Sequence, residues 1–154
     1  VYEAIGLITM HANHPQPLLK KEGGRNWRGR LIHVVGSAGG GRDIARRPKL
    51  GLLAGEKANF VIVTNEDPYN EDPQIIINQV AAGAEKAGKV LDKDLYKILD
   101  RREAIKRALS MAEENDIVLI TGKGSEQAIC VANGEKITWD DRAVVRGLLY
   151  EMEA

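Results

Sequence analysis

The sequence has a single cysteine, Cys130, among its 154 residues, and no net charge, with 22 Lys and Arg against 22 Asp and Glu. One cysteine excludes a disulfide framework and points to a reducing compartment, taken here as the cytoplasm. Balanced charge argues against a general nucleic-acid binder, which needs a basic surplus to neutralise phosphates. No apolar run approaches the roughly 20 residues of a membrane-spanning helix, and no basic-then-apolar leader is read at the start. Neither nucleic acid nor membrane is therefore expected as a partner. Aromatic residues are scarce at 5%, yet 44% of the chain is hydrophobic and 29% charged, too apolar a mixture for disorder. His11 and His14 lack a third ligand of fitting spacing, so no metal site is expected. A chain of this length suits one domain that buries about 70% of its unfolded surface.

The neutral total conceals an asymmetry. Residues 1–50 hold nine basic and three acidic side chains, and residues 51–154 hold the remaining 13 basic and 19 acidic ones. Either these charges are scattered and solvated, or the basic half attracts an anionic substrate. Strand and helix patterns alternate along the chain, which predicts an α/β fold with a largely parallel sheet. Strands are expected at Ala4 to Met10, Leu31 to Val35, Phe60 to Thr64 and Ile117 to Thr121, with a short edge strand at Val90-Leu91. Helices are expected after Pro15, from about Pro48 to Ala58, from Pro73, and behind Asp100, where Asp100 to Glu103 resembles a capping box. Asn133-Gly134 marks a hairpin between Gln127 to Ala132 and Glu135 to Thr138, and Thr138 to Asp141 opens a terminal helix.

Sites in such a sheet are expected at the carboxyl ends of strands. The turn Gly36-Ser37-Ala38-Gly39-Gly40-Gly41, followed by Arg42 and Asp43, brings backbone amides and a guanidinium that suit an anion, or it is a plain turn with a surface pair. It is neither a P-loop nor a dinucleotide fingerprint. Asn65 to Pro73 places Glu66, Asp67, Glu71 and Asp72 ahead of a helix. These carboxylates either bind a metal or an ammonium group, or form a solvated loop that favours the helix N-terminus. Thr121-Gly122-Lys123-Gly124-Ser125-Glu126 offers a lysine for a phosphate or carboxylate and a glutamate for an amine, or again a plain glycine turn. His33 and Cys130 are read as packed residues, and Trp27 and Trp139 as anchors or caps.

Taken in order, these loops resemble the C-terminal domain of a Mur ligase of the MurE type. Gly36 to Asp43 with Arg46-Arg47-Pro48 is similar to the family's G-x-x-G-x-RD-x-x-KRP stretch, and Asn65 to Tyr69 with Glu71 to Pro73 to its D-D-N-P-x and E-x-P loop. Asp100 to Ile105 resembles DR-x-x-AI, Thr121 to Glu126 resembles GKGHE, and Trp139 to Arg142 the terminal -DR- element. The resemblance implies a Rossmann-like three-layer domain, mostly parallel, with a C-terminal hairpin and helix. It covers residues 1–154 as one domain, with the UDP-binding and central ATPase domains of the family absent.

The implied activity is ATP-dependent amide formation, adding a free amino acid to UDP-N-acetylmuramoyl-L-Ala-D-Glu in peptidoglycan synthesis. ATP and magnesium would be held mainly by the absent central domain, so the chain alone is expected to be inactive. Carried over by position, Arg42 meets the amino acid's carboxylate, while Glu66, Asp67, Tyr69, Gly122 and Glu126 complete the pocket. Asn13 and Lys123 stand as candidate phosphate or nucleotide contacts, and no catalytic residue is assigned. The family's Y-A-H-T-P-D motif is altered at His11 to Gln16, and Ser125 replaces the histidine of GKGHE. Tyr69 stands where diaminopimelate-adding enzymes carry an arginine, which disfavours diaminopimelate and leaves lysine or another amino acid. The altered motifs also suggest an alternative, a Mur-like module that binds a ligand or partner without catalysis. A generic dinucleotide-binding domain suffers from the missing fingerprint.

Overall fold

The computed structural model describes residues 6–9, 29–41 and 44–153. Its elements run β1 (Gly6–Thr9), β2 (Leu31–Val35), α1 (Arg46–Lys57), β3 (Phe60–Thr64), α2 (Pro73–Lys86), β4 (Leu95–Ile98), α3 (Arg101–Met111), β5 (Ile117–Ile120), β6 (Ala128–Cys130), β7 (Lys136–Thr138) and α4 (Asp141–Glu153). The helix expected after Pro15 lies outside the described residues, as do His11, Asn13, His14, Trp27, Arg42 and Asp43.

Five strands form one sheet in the order β1-β5-β2-β3-β4. Strands β5, β2, β3 and β4 are mutually parallel, and β1 joins β5 antiparallel with Gly6 opposite Ile120. Buried strands of this kind show alternate residues to opposite faces, and both faces here are covered. Ile32, Val34, Ile62, Val118 and Ile120 pack with Ala104, Ile105, Ala108 and Leu109 of α3 and with Val145 and Leu148 of α4. Val35, Val61 and Val63 pack on the other face with Ala54 of α1 and Ile77, Val80, Ala81 and Ala84 of α2. The result is the expected three-layer α/β fold.

Local chemistry accounts for the helix ends. Asp72 caps α2 by accepting from the Gln74 N–H at 2.8 Å, with Pro73 at the first helical position, where its missing N–H costs nothing. Asp100 caps α3 through the Glu103 N–H at 2.9 Å. Asp140 receives the Arg142 N–H at 2.8 Å at the start of α4. Helix α1 begins two residues before the expected Pro48, which falls in the first turn, where a missing N–H is tolerated.

Two expectations need correction. Val90-Leu91 is not the edge strand: the Val90 carbonyl accepts the N–H groups of Lys93, Asp94 and Leu95 in a turn, and Leu91 makes only an isolated bridge to Leu95. The edge is β4, which pairs with β3 from Val61 opposite Leu95 to Thr64 opposite Ile98. The hairpin strands are also shorter than expected. Asn133 and Gly134 do turn the chain with positive φ (61° and 75°), but Cys130 pairs with Lys136, which leaves an extra residue bulged on the first strand.

Candidate functional site

The order of β5, β2 and β3 decides where a cleft forms. The chain leaves β2 for β3 on one side, and returns from the far edge to β5 on the other. Such a switch in strand order opens a crevice beyond the carboxyl ends of the central strands. The three loops singled out in the sequence meet there: residues 36–41 after β2, 65–72 after β3 and 121–127 after β5.

Glu66 reaches across this crevice. It follows β3, yet its Oε2 lies 3.2 Å from where a Gly36 Cβ would stand, and a Gly122 Cβ would collide with the same oxygen. Gly122 holds φ at +108°, a conformation natural only to glycine, so both its backbone and its missing side chain suit the approach of Glu66. Burial raises the Glu66 pKa above its ordinary 4.5; the Arg101 charge opposes that, with smaller effects from Asp67, Lys123 and Glu126. No hydrogen bond or ion pair reaches its carboxylate among the described residues.

The other acidic residues of this loop are each committed to the protein. Asp67 is buried and binds the Lys123 ammonium at 2.7 and 2.8 Å, and it accepts the Cys130 N–H at 2.7 Å. Glu71 receives the Gly41 N–H at 2.6 Å and pairs with Arg47 at 2.9 Å; the Arg47 bond, then the Gly41 bond, lower its pKa. Asp72 is the α2 cap. The glycine turn, read as an anion cradle, therefore already holds an anion of the protein's own. Gly40 and Gly41 have φ of +74° and +72°, and the ring of Tyr69, itself at φ +50°, packs 3.3 Å from the Cβ position of Gly40.

Lys123 is buried completely, and its third bond goes to the exposed Glu126 at 2.6 Å. Burial works against its charge, but the bonds to Asp67 and Glu126 outweigh burial and raise its pKa. An ammonium has three donors, and all three are taken, so as a phosphate contact Lys123 has none left. It clamps the loop after β5 to the loop after β3. Through Cys130, which is half-buried rather than a core residue, the same carboxylate also fixes the β6–β7 hairpin.

Two buried arginines escaped the sequence reading. Arg47 is 1% exposed and binds Gln79 at 2.8 Å, the Ala38 carbonyl at 3.2 Å and Glu71, tying the glycine turn to α2. Arg101 is 3% exposed; Nε and Nη2 bind Asp141 at 2.9 and 2.8 Å, Nη1 the Asn65 carbonyl at 3.1 Å, and Nη2 the Thr121 carbonyl at 3.0 Å. Trp139 anchors the same Asp141 through its indole N–H at 2.7 Å. The DR-x-x-AI segment was the available signal, but it reads equally as a helix start. Among the described residues no group of three or more His, Cys, Asp or Glu could hold a metal ion.

Comparison with known proteins identifies the family. A family model described as "Mur ligase, glutamate ligase domain" matches residues 19–124. The UDP-N-acetylmuramyl-tripeptide synthetase of Roseiflexus sp. (strain RS-1) is 44% identical over 124 residues, 80% of this chain and 24% of that protein. The UDP-N-acetylmuramoyl-L-alanyl-D-glutamate–2,6-diaminopimelate ligase of Caldanaerobacter subterraneus subsp. tengcongensis is 41% identical over 126 residues, 81% of this chain and 25% of that protein. A solved structure of a ligase of the latter name superposes with a TM-score of 0.68 at 35% identity, covering 81% of this chain and 24% of that one. The chain thus spans about a quarter of the length of these relatives. With a matching sequence model and fold, it belongs to the Mur ligase family and corresponds to that family's C-terminal domain.

Proposed function

We propose that this chain is the amino-acid-binding domain of an ATP-dependent, amide-forming ligase of peptidoglycan synthesis, and that Glu66 receives the ammonium group of the incoming amino acid. The observation that carries this reading is the Glu66 carboxylate itself, half-buried in the crevice, its pKa raised by burial, and without a hydrogen-bonding partner among the described residues. Partial burial disfavours its charge, and a ligand ammonium would offset that with charge and donors. Gly36 and Gly122 leave the room that the Glu66 side chain occupies, and Arg42, outside the described residues, is the candidate for the ligand's carboxylate. Asp67 and Glu126 would act from one step back, by fixing Lys123 and hence the loop that carries Gly122.

The phosphates of ATP and a magnesium ion fit the described residues poorly. The Lys123 donors are taken, the Gly41 amide is held by Glu71, and no metal-ligating cluster is present among these residues. Those groups belong with the remaining domains of the ligase, and no step is assigned to them here. The acceptor would be UDP-N-acetylmuramoyl-L-Ala-D-Glu, and Tyr69 offers no charge for a distal carboxylate, which favours lysine or another amino acid over diaminopimelate. The relatives are named as ligases, so a non-catalytic module gains no support from them.

The test is amino-acid-dependent ATP turnover by the full-length ligase that carries this chain. Glu66→Gln is expected to raise the amino-acid KM about 10- to 100-fold, the worth of one charge-assisted bond, while the ATP KM stays put. An unchanged amino-acid KM would overturn the assignment.

A further inference from the structure

Arg101 stands in an unfavourable place for a positive charge. It is the first residue of α3, where the helix dipole repels cations, and it is buried, where a guanidinium loses its water. An apolar side chain would fill that volume without either penalty, and such replacements of buried ion pairs are often neutral or stabilising. What an apolar side chain cannot do is hold two carbonyls at once. Those of Asn65 and Thr121, bound at 3.1 and 3.0 Å, immediately precede Glu66 and Gly122. They close β3 and β5, which do not pair with each other because β2 lies between them. The planar fork therefore sets a spacing that the sheet's own ladder does not set directly. Asp141, at the start of α4, orients the fork with two bonds and is itself held by Trp139.

We infer that Arg101 is a positioning residue for the amino-acid site, holding Glu66 and Gly122 at the separation that receives the ligand's ammonium, with Asp141 as its anchor. This rests on the assignment of Glu66 proposed above. The guanidinium also acts through its charge, since it is the foremost influence favouring ionised Glu66 against burial. The other charges facing Glu66 are Asp67 beside it and Lys123 and Glu126 from the loop after β5, and none of them is altered in the test.

The experiment measures KM for the amino acid and for ATP, and the pH profile of kcat/KM for the amino acid, in the full-length ligase and three variants. Arg101→Gln removes fork and charge; it is expected to raise the amino-acid KM about tenfold, to leave the ATP KM within about twofold, and to move the acidic limb to higher pH. Arg101→Lys keeps the charge but loses the fork, so its KM rises while its acidic limb stays. Asp141→Asn loosens the anchor and retains Arg101, so it raises the amino-acid KM without moving the limb, and it carries the test if Arg101→Gln does not fold. Amino-acid KM unchanged in folded variants, or rising in proportion with the ATP KM, overturns the inference. Glu66→Gln run alongside separates the two claims: an effect there with none at Arg101 or Asp141 removes only the positioning role, and no effect at Glu66 removes the site assignment.

Discussion

Glu66 costs the fold stability that a neutral residue would not. Its pKa is raised in the folded chain by burial, so the native state holds the proton more tightly than the unfolded chain does. Stability therefore falls as pH climbs from the ordinary value of 4.5 through the folded pKa, and this residue contributes no slope outside that window. Glu66→Gln lacks the penalty. Its urea midpoint is expected to exceed that of the parent at neutral pH, and the gap to close as both are taken below pH 4.5. A variant less stable than the parent at pH 7 would contradict this. A fold that keeps such a residue gives up stability at that position, as the site proposed for Glu66 would require. The sequence showed four acidic residues in one loop, but not how they divide, because their partners come from elsewhere. Asp67 meets Lys123 across 56 positions, and Glu71 meets Arg47 and a glycine amide. The burial of Arg47 and Arg101 was equally invisible, since a charged side chain is read as exposed until its partners are placed.

At the level of elements, α1 and α2 cross at glycines rather than at interlocking apolar side chains. A Cβ on Gly51 would collide with the Val80 carbonyl, and one on Gly83 with the Pro48 carbonyl, so each backbone lies directly against the other helix. Backbone cannot yield as a side-chain tip can. Gly51→Ala and Gly83→Ala are each expected to lower stability by about 2–3 kcal/mol, the overpacking range, despite the helix propensity gained. Gly147 on α4 is the control: nothing stands within 4 Å of its Cβ position, and Gly147→Ala should stabilise by about 0.5–1 kcal/mol. Paired urea titrations of the three variants check the opposite signs. These glycines carry no helical signal of their own, whereas β2 and β3 are mostly apolar runs, interrupted only by His33 and closed by Thr64, whose bounds could be read directly as Leu31 to Val35 and Phe60 to Thr64. Strand β4 was missed for the converse reason: Lys97 sits within Leu95–Ile98, and at a sheet edge only Leu95 is fully buried.

For the whole molecule, the opposed charge of the two halves resolves in part into long-range pairs. Arg30 binds Asp116 at 2.6 Å and Arg47 binds Glu71 at 2.9 Å, each joining the basic half to the acidic one. The surplus is thus spent partly on closing the fold, and the crevice keeps the unpaired Glu66 as its distinctive charge among the described residues. The crevice proposed to receive an amine would be only one part of an amide ligase. The sequence contains no G-x-x-x-x-G-K-[ST] loop, its Gly122-Lys123-Gly124 segment is locked by Asp67 and Glu126, and the chain spans about 24% of its relatives. Without that loop, and with no free phosphate cradle among the described residues, the triphosphate is expected to bind at about 1 mM or weaker. The 154-residue chain, purified and mixed with ATP, magnesium, UDP-N-acetylmuramoyl-L-Ala-D-Glu and a panel of amino acids, is therefore expected to fold, to release no phosphate and to form no amide. Product detected by mass spectrometry above a no-protein control would show that this domain carries the chemistry as well as the binding, and that the remaining domains of the ligase are not needed for it.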